Sequence, residues 1–285
     1  MSSKPRLGII DWGIGGVGIY KLIRARLGPV PALYFSDTGV TPYGKMSRRE
    51  LVARLNSVLD FLRSQGITHL VVACNAASTA IPFLNAGHLK VEGVVESAVR
   101  SAQRRRPTKL ALIGGRRTVL SGIYRQALAE RGIPVIQRIA QPLSGFIESG
   151  DVSSSMLRSE CRRILSPLAN CSHILLACTH YPAIIPVMKE AVSEDTVFVD
   201  PAEELVSRIR RWELPIGGAD RIFTSGDPQN MKSAALTAFG VEFEKITRIT
   251  ICERPSRFSQ TRKNLMPPKP AGCIRVVRSG WAGPQ

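Results

Sequence analysis

The chain has 285 residues, 44% hydrophobic and 21% charged, with 39 Lys+Arg against 22 Asp+Glu and a formal net charge of +17. That is enough chain for one large or two ordinary domains with their own cores, and it holds no run approaching the ~18–20 apolar residues of a membrane span. Residues 7–10 are too short for a signal-peptide core, and cysteines at 74, 161, 171, 178, 252 and 273 form neither a CxxC zinc pattern nor a disulfide scaffold, so a cytoplasmic protein with reduced thiols is expected.

Residues 7–10, 32–35, 69–73 and 91–95 read as short apolar strands with helical patterns between them. The clearest helix spans residues 48–65, with Leu51, Leu55, Leu59 and Leu62 at helical spacing, a capping box at Ser47–Glu50 and Gly66 as its stop. The rhythm then repeats: a strand at 109–113, a helix at 119–131 stopped by Gly132, a strand at 135–138, a helix at 154–166, and strands at 173–177 and 196–199. A helix at 201–211 follows, and another opens with Asp227 as N-cap, Pro228 in its first position and Gly240 past its end. These returning elements are expected to pack back on the first half.

Residues 253–285 hold seven Lys/Arg against Glu253 alone, five prolines and no periodicity, and read as a loosely attached basic tail. A second cluster of arginines spans residues 100–106. Neither carries aromatic interleaving or a nucleic-acid module, so a solvated surface is expected rather than a nucleic-acid or membrane partner.

The chain says nearly the same thing twice. His69-Leu70-Val71-Val72-Ala73-Cys74-Asn75 recurs 104 positions later as His173-Ile174-Leu175-Leu176-Ala177-Cys178-Thr179. Alternating strands and helices imply parallel α/β sheets, in which function gathers at the carboxyl ends of strands, and Asp11, Asp37, Cys74, Glu96 and Cys178 all fall there. Gly13-Ile14-Gly15-Gly16-Val17-Gly18 also fits the dinucleotide fingerprint G-x-G-x-x-G. Asp11 argues against it, because its charge would oppose a pyrophosphate at the helix N-terminus. The glycines are read instead as a tight turn that admits a small ligand.

One cysteine at a strand end is usually a small buried hydrophobe; two at equivalent places in a repeat, each followed by a hydrogen-bonding residue, point to a ligand between them. His180, two positions after Cys178, can assist thiolate formation, and Asp11 can accept a proton from Cys74.

At these residues the chain resembles the glutamate racemases of the aspartate/glutamate racemase superfamily, over roughly residues 7–243. The segments that carry the likeness are Asp11-Trp12-Gly13-Ile14-Gly15-Gly16, Tyr34-Phe35-Ser36-Asp37-Thr38 with Pro42-Tyr43-Gly44-Lys45, Ala73-Cys74-Asn75-Ala76-Ala77-Ser78, Gly93-Val94-Val95-Glu96, residues 117–124, and Ala177-Cys178-Thr179-His180-Tyr181-Pro182. The resemblance implies Cys74 and Cys178 on opposite faces of a substrate α-carbon, inverting it without pyridoxal phosphate or metal. Asp11 would assist Cys74, His180 would assist Cys178, and Glu148 matches a family carboxylate near that histidine. The implied substrate-binding set is Asp11, Trp12, Tyr43, Gly44, Asn75, Ala76, Thr179 and His180. Two positions depart from the family, which usually has Ser where this chain has Trp12 and Thr where it has Ala76. Loss of two substrate hydroxyls predicts poor handling of glutamate.

The expected fold is thus α/β, with two similar doubly wound parallel-sheet domains in a pseudo-twofold relation: residues 1–98 plus 209–250, and 99–208, with residues 251–285 as the tail and the active site in the cleft. The expected function is a cofactor-independent amino-acid racemase, of glutamate for peptidoglycan, acting on a small acidic amino acid, with a homodimer allowed. The alternatives are a superfamily relative acting on another acid, such as an aspartate racemase, decarboxylase or isomerase, or a binding protein without turnover.

Overall fold

The computed structural model describes residues 6–251 and the strand 274–276. Among the described residues the strands run β1 Leu7–Asp11, β2 Ala32–Ser36, β3 His69–Val72, β4 Lys90–Gly93, β5 Leu110–Gly114, β6 Val135–Ile139, β7 His173–Ala177, β8 Val197–Val199, β9 Arg221–Thr224, β10 Thr247–Ile251 and β11 Ile274–Val276. The helices are α1 Gly16–Leu27, α2 Arg48–Ser64, α3 Asn75–Ser78, α4 Val94–Arg105, α5 Arg116–Leu120, α6 Ile123–Ala129, α7 Gln141–Glu148, α8 Ser155–Leu165, α9 Ile185–Lys189, α10 Ala202–Ile209 and α11 Pro228–Phe239.

The strands form two sheets, ordered β11-β10-β9-β2-β1-β3-β4 and β6-β5-β7-β8. The four-strand orders β2-β1-β3-β4 and β6-β5-β7-β8 are the same topology, and every pairing within them is parallel. Even the register repeats: Leu7 faces His69 across β1 and β3 as Leu110 faces His173 across β5 and β7. This is the α/β pair of doubly wound sheets that the repeat predicts. In each sheet the strand order reverses beside the first strand, so a crevice opens at the carboxyl ends of β1 and β3 and again at those of β5 and β7.

Packing follows the hydrophobic pattern. β1, β2, β3 and β5 are buried throughout, as strands covered on both faces must be. The Ser47–Glu50 capping box is present, with Ser47 accepting from the Glu50 amide and Glu50 from the Ser47 amide. It starts α2, which lays Leu51, Leu55, Val58, Leu59 and Leu62 against one face of the first sheet. Each such side chain contributes about 1.5–3 kcal/mol by leaving water. The other faces of the two sheets share a single core running through α1 and α10.

The returning segment does join the first half, where β9 adds parallel to β2 and β10 to β9. Within the stretch expected to be a tail, Ile274–Val276 is an antiparallel edge strand on β10; the rest of that expectation, 252–273 and 277–285, lies outside the described residues. The four described cysteines, Cys74, Cys161, Cys171 and Cys178, are free thiols. Among the described residues no helix is long and apolar enough to cross a membrane.

Two elements differ from expectation. The helix read at 119–131 is broken into α5 and α6 by Gly122, whose φ of 73° is left-handed and interrupts the helix. The strand read at 91–95 stops at Gly93, and Val94 and Val95 begin α4. Glu96 therefore sits in the first turn of that helix, where the macrodipole favours a carboxylate, and it pairs with Arg100 at 2.8 Å and Arg131 at 3.1 Å rather than entering the cleft. Asp37 is also committed elsewhere: it accepts from Arg54 at 2.6 and 2.8 Å, Tyr43 at 2.6 Å and Ser225 at 2.7 Å, tying β2 to α2 and to the turn after β9.

Candidate active site

The carboxyl ends of both sheets face one cavity of about 570 Å³, lined by Asp11, Trp12, Tyr43, Gly44, Cys74, Asn75, Ala76, Glu148, Cys178, Thr179 and His180, among others. The residues of the implied catalytic and substrate-binding sets are thus brought to one place, whereas Asp37 and Glu96 lie outside this lining. β1 delivers Asp11, β3 delivers Cys74 to the start of α3, β7 delivers Cys178, and Glu148 is the last residue of α7.

The two thiols have different surroundings. Cys74 is 8% exposed and lies beside Asp11, which is fully buried. Burial and the neighbouring Asp11 charge hold the Cys74 thiol well above its ordinary range. Burial likewise pushes the Asp11 carboxyl up, against the charge of His180 and hydrogen bonds from Cys74, Thr179 and the Trp12 amide. The pair is a neutral thiol next to a reluctantly ionised carboxyl, which is a proton donor with a proton acceptor behind it.

Cys178 instead has its Sγ 3.7 Å from His180 Nδ1, and His180 Nε2 lies 2.7 Å from Glu148 Oε2. Burial alone would lower the His180 imidazole, but its bonds to Cys178 and Glu148 and the charges of both more than offset this and raise it well above its usual value. An imidazolium held there stabilises negative charge on the sulfur whenever it acts as a base.

The two assemblies brace each other across the cleft. Thr179 Oγ1 donates to Asp11 Oδ2 at 2.9 Å, and the Ile14 amide donates to Glu148 Oε2 at 3.0 Å. The latter explains the glycine fingerprint. The amide that would hold a phosphate at the start of α1 already holds the Glu148 carboxylate. A Cβ on Gly13 would lie 2.1 Å from Glu148 Oε2, and one on Gly15 2.5 Å from both His180 Nδ1 and Thr179 Oγ1. The glycines admit side chains of the opposite half rather than a dinucleotide. Tyr34 fixes the loop from below, its hydroxyl donating to the Gly13 carbonyl at 2.9 Å.

The ligand-facing groups divide similarly. Asn75 is 3% exposed; its Oδ1 accepts from Tyr124 at 2.5 Å while Nδ2 has no partner, leaving a fixed donor. The Tyr43 hydroxyl is spent on Asp37. Trp12 donates its indole N–H to the Val40 carbonyl at 3.1 Å, which pins the ring at the cavity wall. Gln141, Thr118 and Ser144 also line the cavity and were missed in the sequence, because they come from the turns and helices of the second half that the repeat motif does not include. Among the described residues no group of three or more His, Cys, Asp or Glu converges as a metal site.

Comparisons with known proteins bear on the family and the fold. The Asp/Glu/Hydantoin racemase family matches residues 7–209. The glutamate racemase of Gloeobacter violaceus is 32% identical over 244 residues, covering 80% of this chain and 90% of that protein. The structure of glutamate racemase from Thermus thermophilus in complex with beta-chloro-D-alanine superposes with a TM-score of 0.75 at 28% identity, over 86% of this chain and 96% of that one. The Francisella tularensis glutamate racemase in complex with D-glutamate has a TM-score of 0.79 at 22% identity, over 87% of this chain and 98% of that one, a likeness of fold.

Proposed function

The chain belongs to the Asp/Glu/Hydantoin racemase family and is an isomerase, and from that premise we propose that it is a glutamate racemase in which Cys74 and Cys178 invert the α-carbon by a two-base mechanism. The observation that carries the reading is that two thiols from equivalent places in the two halves line one cavity, each with its own buried proton partner.

One thiolate breaks the Cα–H bond and takes the proton as an S–H. The electron pair left on carbon delocalises into the adjacent carboxylate, where preorganised donors must hold the growing charge. The opposite thiol then gives its proton to the other face and is left as a thiolate. For one enantiomer Cys178, beside the His180–Glu148 pair, serves as the base and Cys74, beside Asp11, as the donor; the other enantiomer uses the reverse assignment. Proton movement through His180 and Asp11 returns the thiols to their starting states. The free amide of Asn75, the backbone of Tyr43 and Gly44, and Thr179 are the groups suited to the substrate's carboxylates and ammonium. The D-glutamate product would serve peptidoglycan synthesis, as the family resemblance implies.

The test is glutamate racemisation by circular dichroism together with solvent-deuterium incorporation at Cα. Cys74→Ser and Cys178→Ser should each lose racemisation by about 10²–10⁴-fold while folding normally. Each variant should keep exchange with only one enantiomer, and the two should differ in which. Wild-type-like racemisation in either variant ends the two-base reading.

A further inference from the structure

Next to the thiol cavity lies a second one of about 740 Å³, which shares Gly44, Lys45 and Gln141 with it as a common wall. Its lining comes from the segments that follow β2, β3, β5 and β6, and so from both halves. Four cationic side chains converge there: Lys45, Arg48, Arg116 and Arg117. Several arginines elsewhere are answered by carboxylates, as in Arg24–Asp220, Arg158–Glu190 and Arg208–Glu92. Around this cavity no ion pair is formed by any of the four among the described residues. Arg48 instead lies 4.9 Å over the ring of Phe83, which is 51% exposed. Arg117 donates to the Met46 carbonyl at 2.7 Å while its Nε is buried without a partner. Burial and the charge of Arg48 both weaken its hold on its proton.

Gathering four like charges with one unsatisfied buried donor costs free energy unless an anion completes the set. We propose that this cavity is an anion antechamber, a second site that takes a small polyanion on Lys45, Arg48, Arg116 and Arg117. Two sources share that chemistry: the dicarboxylate substrate on its way into the thiol cavity, and a phosphorylated metabolite. The substrate source rests on the racemase reading above; the anion site does not.

The experiment uses the full chain and pyrophosphate as probe, by titration calorimetry at low ionic strength. Arg48→Gln with Arg116→Gln should weaken pyrophosphate binding about tenfold or more. Arg162→Gln with Lys189→Gln, which removes the same charge from another exposed face, should leave binding within about twofold of wild type. Equal weakening in the two double variants, or no pyrophosphate binding to wild type, overturns the site. Racemisation kinetics separate the sources. A severalfold fall in kcat/KM for glutamate at unchanged kcat in the first double variant assigns the antechamber to substrate, whereas unchanged kinetics with lost pyrophosphate binding assigns it to phosphorylated metabolites. A wild-type protein that binds pyrophosphate but racemises no glutamate refutes the functional reading and leaves the anion site standing.

Discussion

Glu148 Oε2 lies 2.7 Å from His180 Nε2, so a carboxylate at the end of α7 holds the imidazole that faces Cys178. The same oxygen accepts from the Ile14 amide of the opposite half, which makes the state of one thiol depend on how the two halves meet.

Glu148→Gln removes the charge but keeps an acceptor oxygen. Because Glu148 is among the groups that raise His180, the imidazole should lose its proton more readily in the variant. The alkaline limb of the kcat/KM profile should move to lower pH, and kcat should fall about tenfold or more. A profile identical to wild type would show that Glu148 does not act through His180.

Asp11→Asn gives a prediction of opposite sign for stability and activity. The Asp11 carboxyl is raised above 3.8 chiefly by burial, so its folded value exceeds its unfolded one. Its contribution to stability is fully present below about 3.8 and is lost as pH rises through the folded value, because ionising it in the interior is costly. Asparagine does not ionise there. The variant's unfolding free energy should gain on wild type as pH climbs through that window, and denaturant titration at several pH values measures it. Racemisation should fall, since Cys74 loses its proton acceptor.

Gly15→Ala tests the close packing of the two halves. Gly15 has φ −55° and ψ −40°, which alanine adopts freely, yet its Cβ would meet His180 and Thr179 at 2.5 Å and Asp11 Oδ2 at 2.8 Å. The expected cost is about 1–3 kcal/mol of overpacking, with activity lost out of proportion because both proton partners are displaced. Activity within twofold of wild type would show that the loop yields.

Trp12 and Ala76 both line the cavity, at the two positions where the resemblance implies substrate-binding hydroxyls. Trp12→Ser with Ala76→Thr should raise kcat/KM for glutamate about tenfold or more if each restored hydrogen bond contributes about 1 kcal/mol. The indole also anchors the Val40 carbonyl, so the melting temperature of the double variant should drop. An efficient wild type with a worse variant would mean that glutamate is held by another geometry.

The sequence by itself determined the two sheets, their shared topology and the placement of Asp11, Cys74, Cys178 and His180 at one edge. That information is local: an apolar run of strand length sets a buried strand, its end sets where the next side chain points, and a 104-residue repeat sets the same strand twice. Local signals also misled. Gly93 ends β4 two residues before its apolar run does, which puts Glu96 on a helix, and the glycines after β1 match a phosphate loop while serving another purpose. What only the tertiary structure decided is who faces whom across the cleft. The Ile14–Glu148 bond joins residues 134 apart and the Thr179–Asp11 bond residues 168 apart. The four cations of the antechamber likewise come from both halves, Lys45 and Arg48 from the stretch between β2 and α2 and its first residue, Arg116 and Arg117 from α5. No period or propensity encodes such pairs, because they exist only once two independently patterned sheets pack with their carboxyl edges together and bury the charges between them.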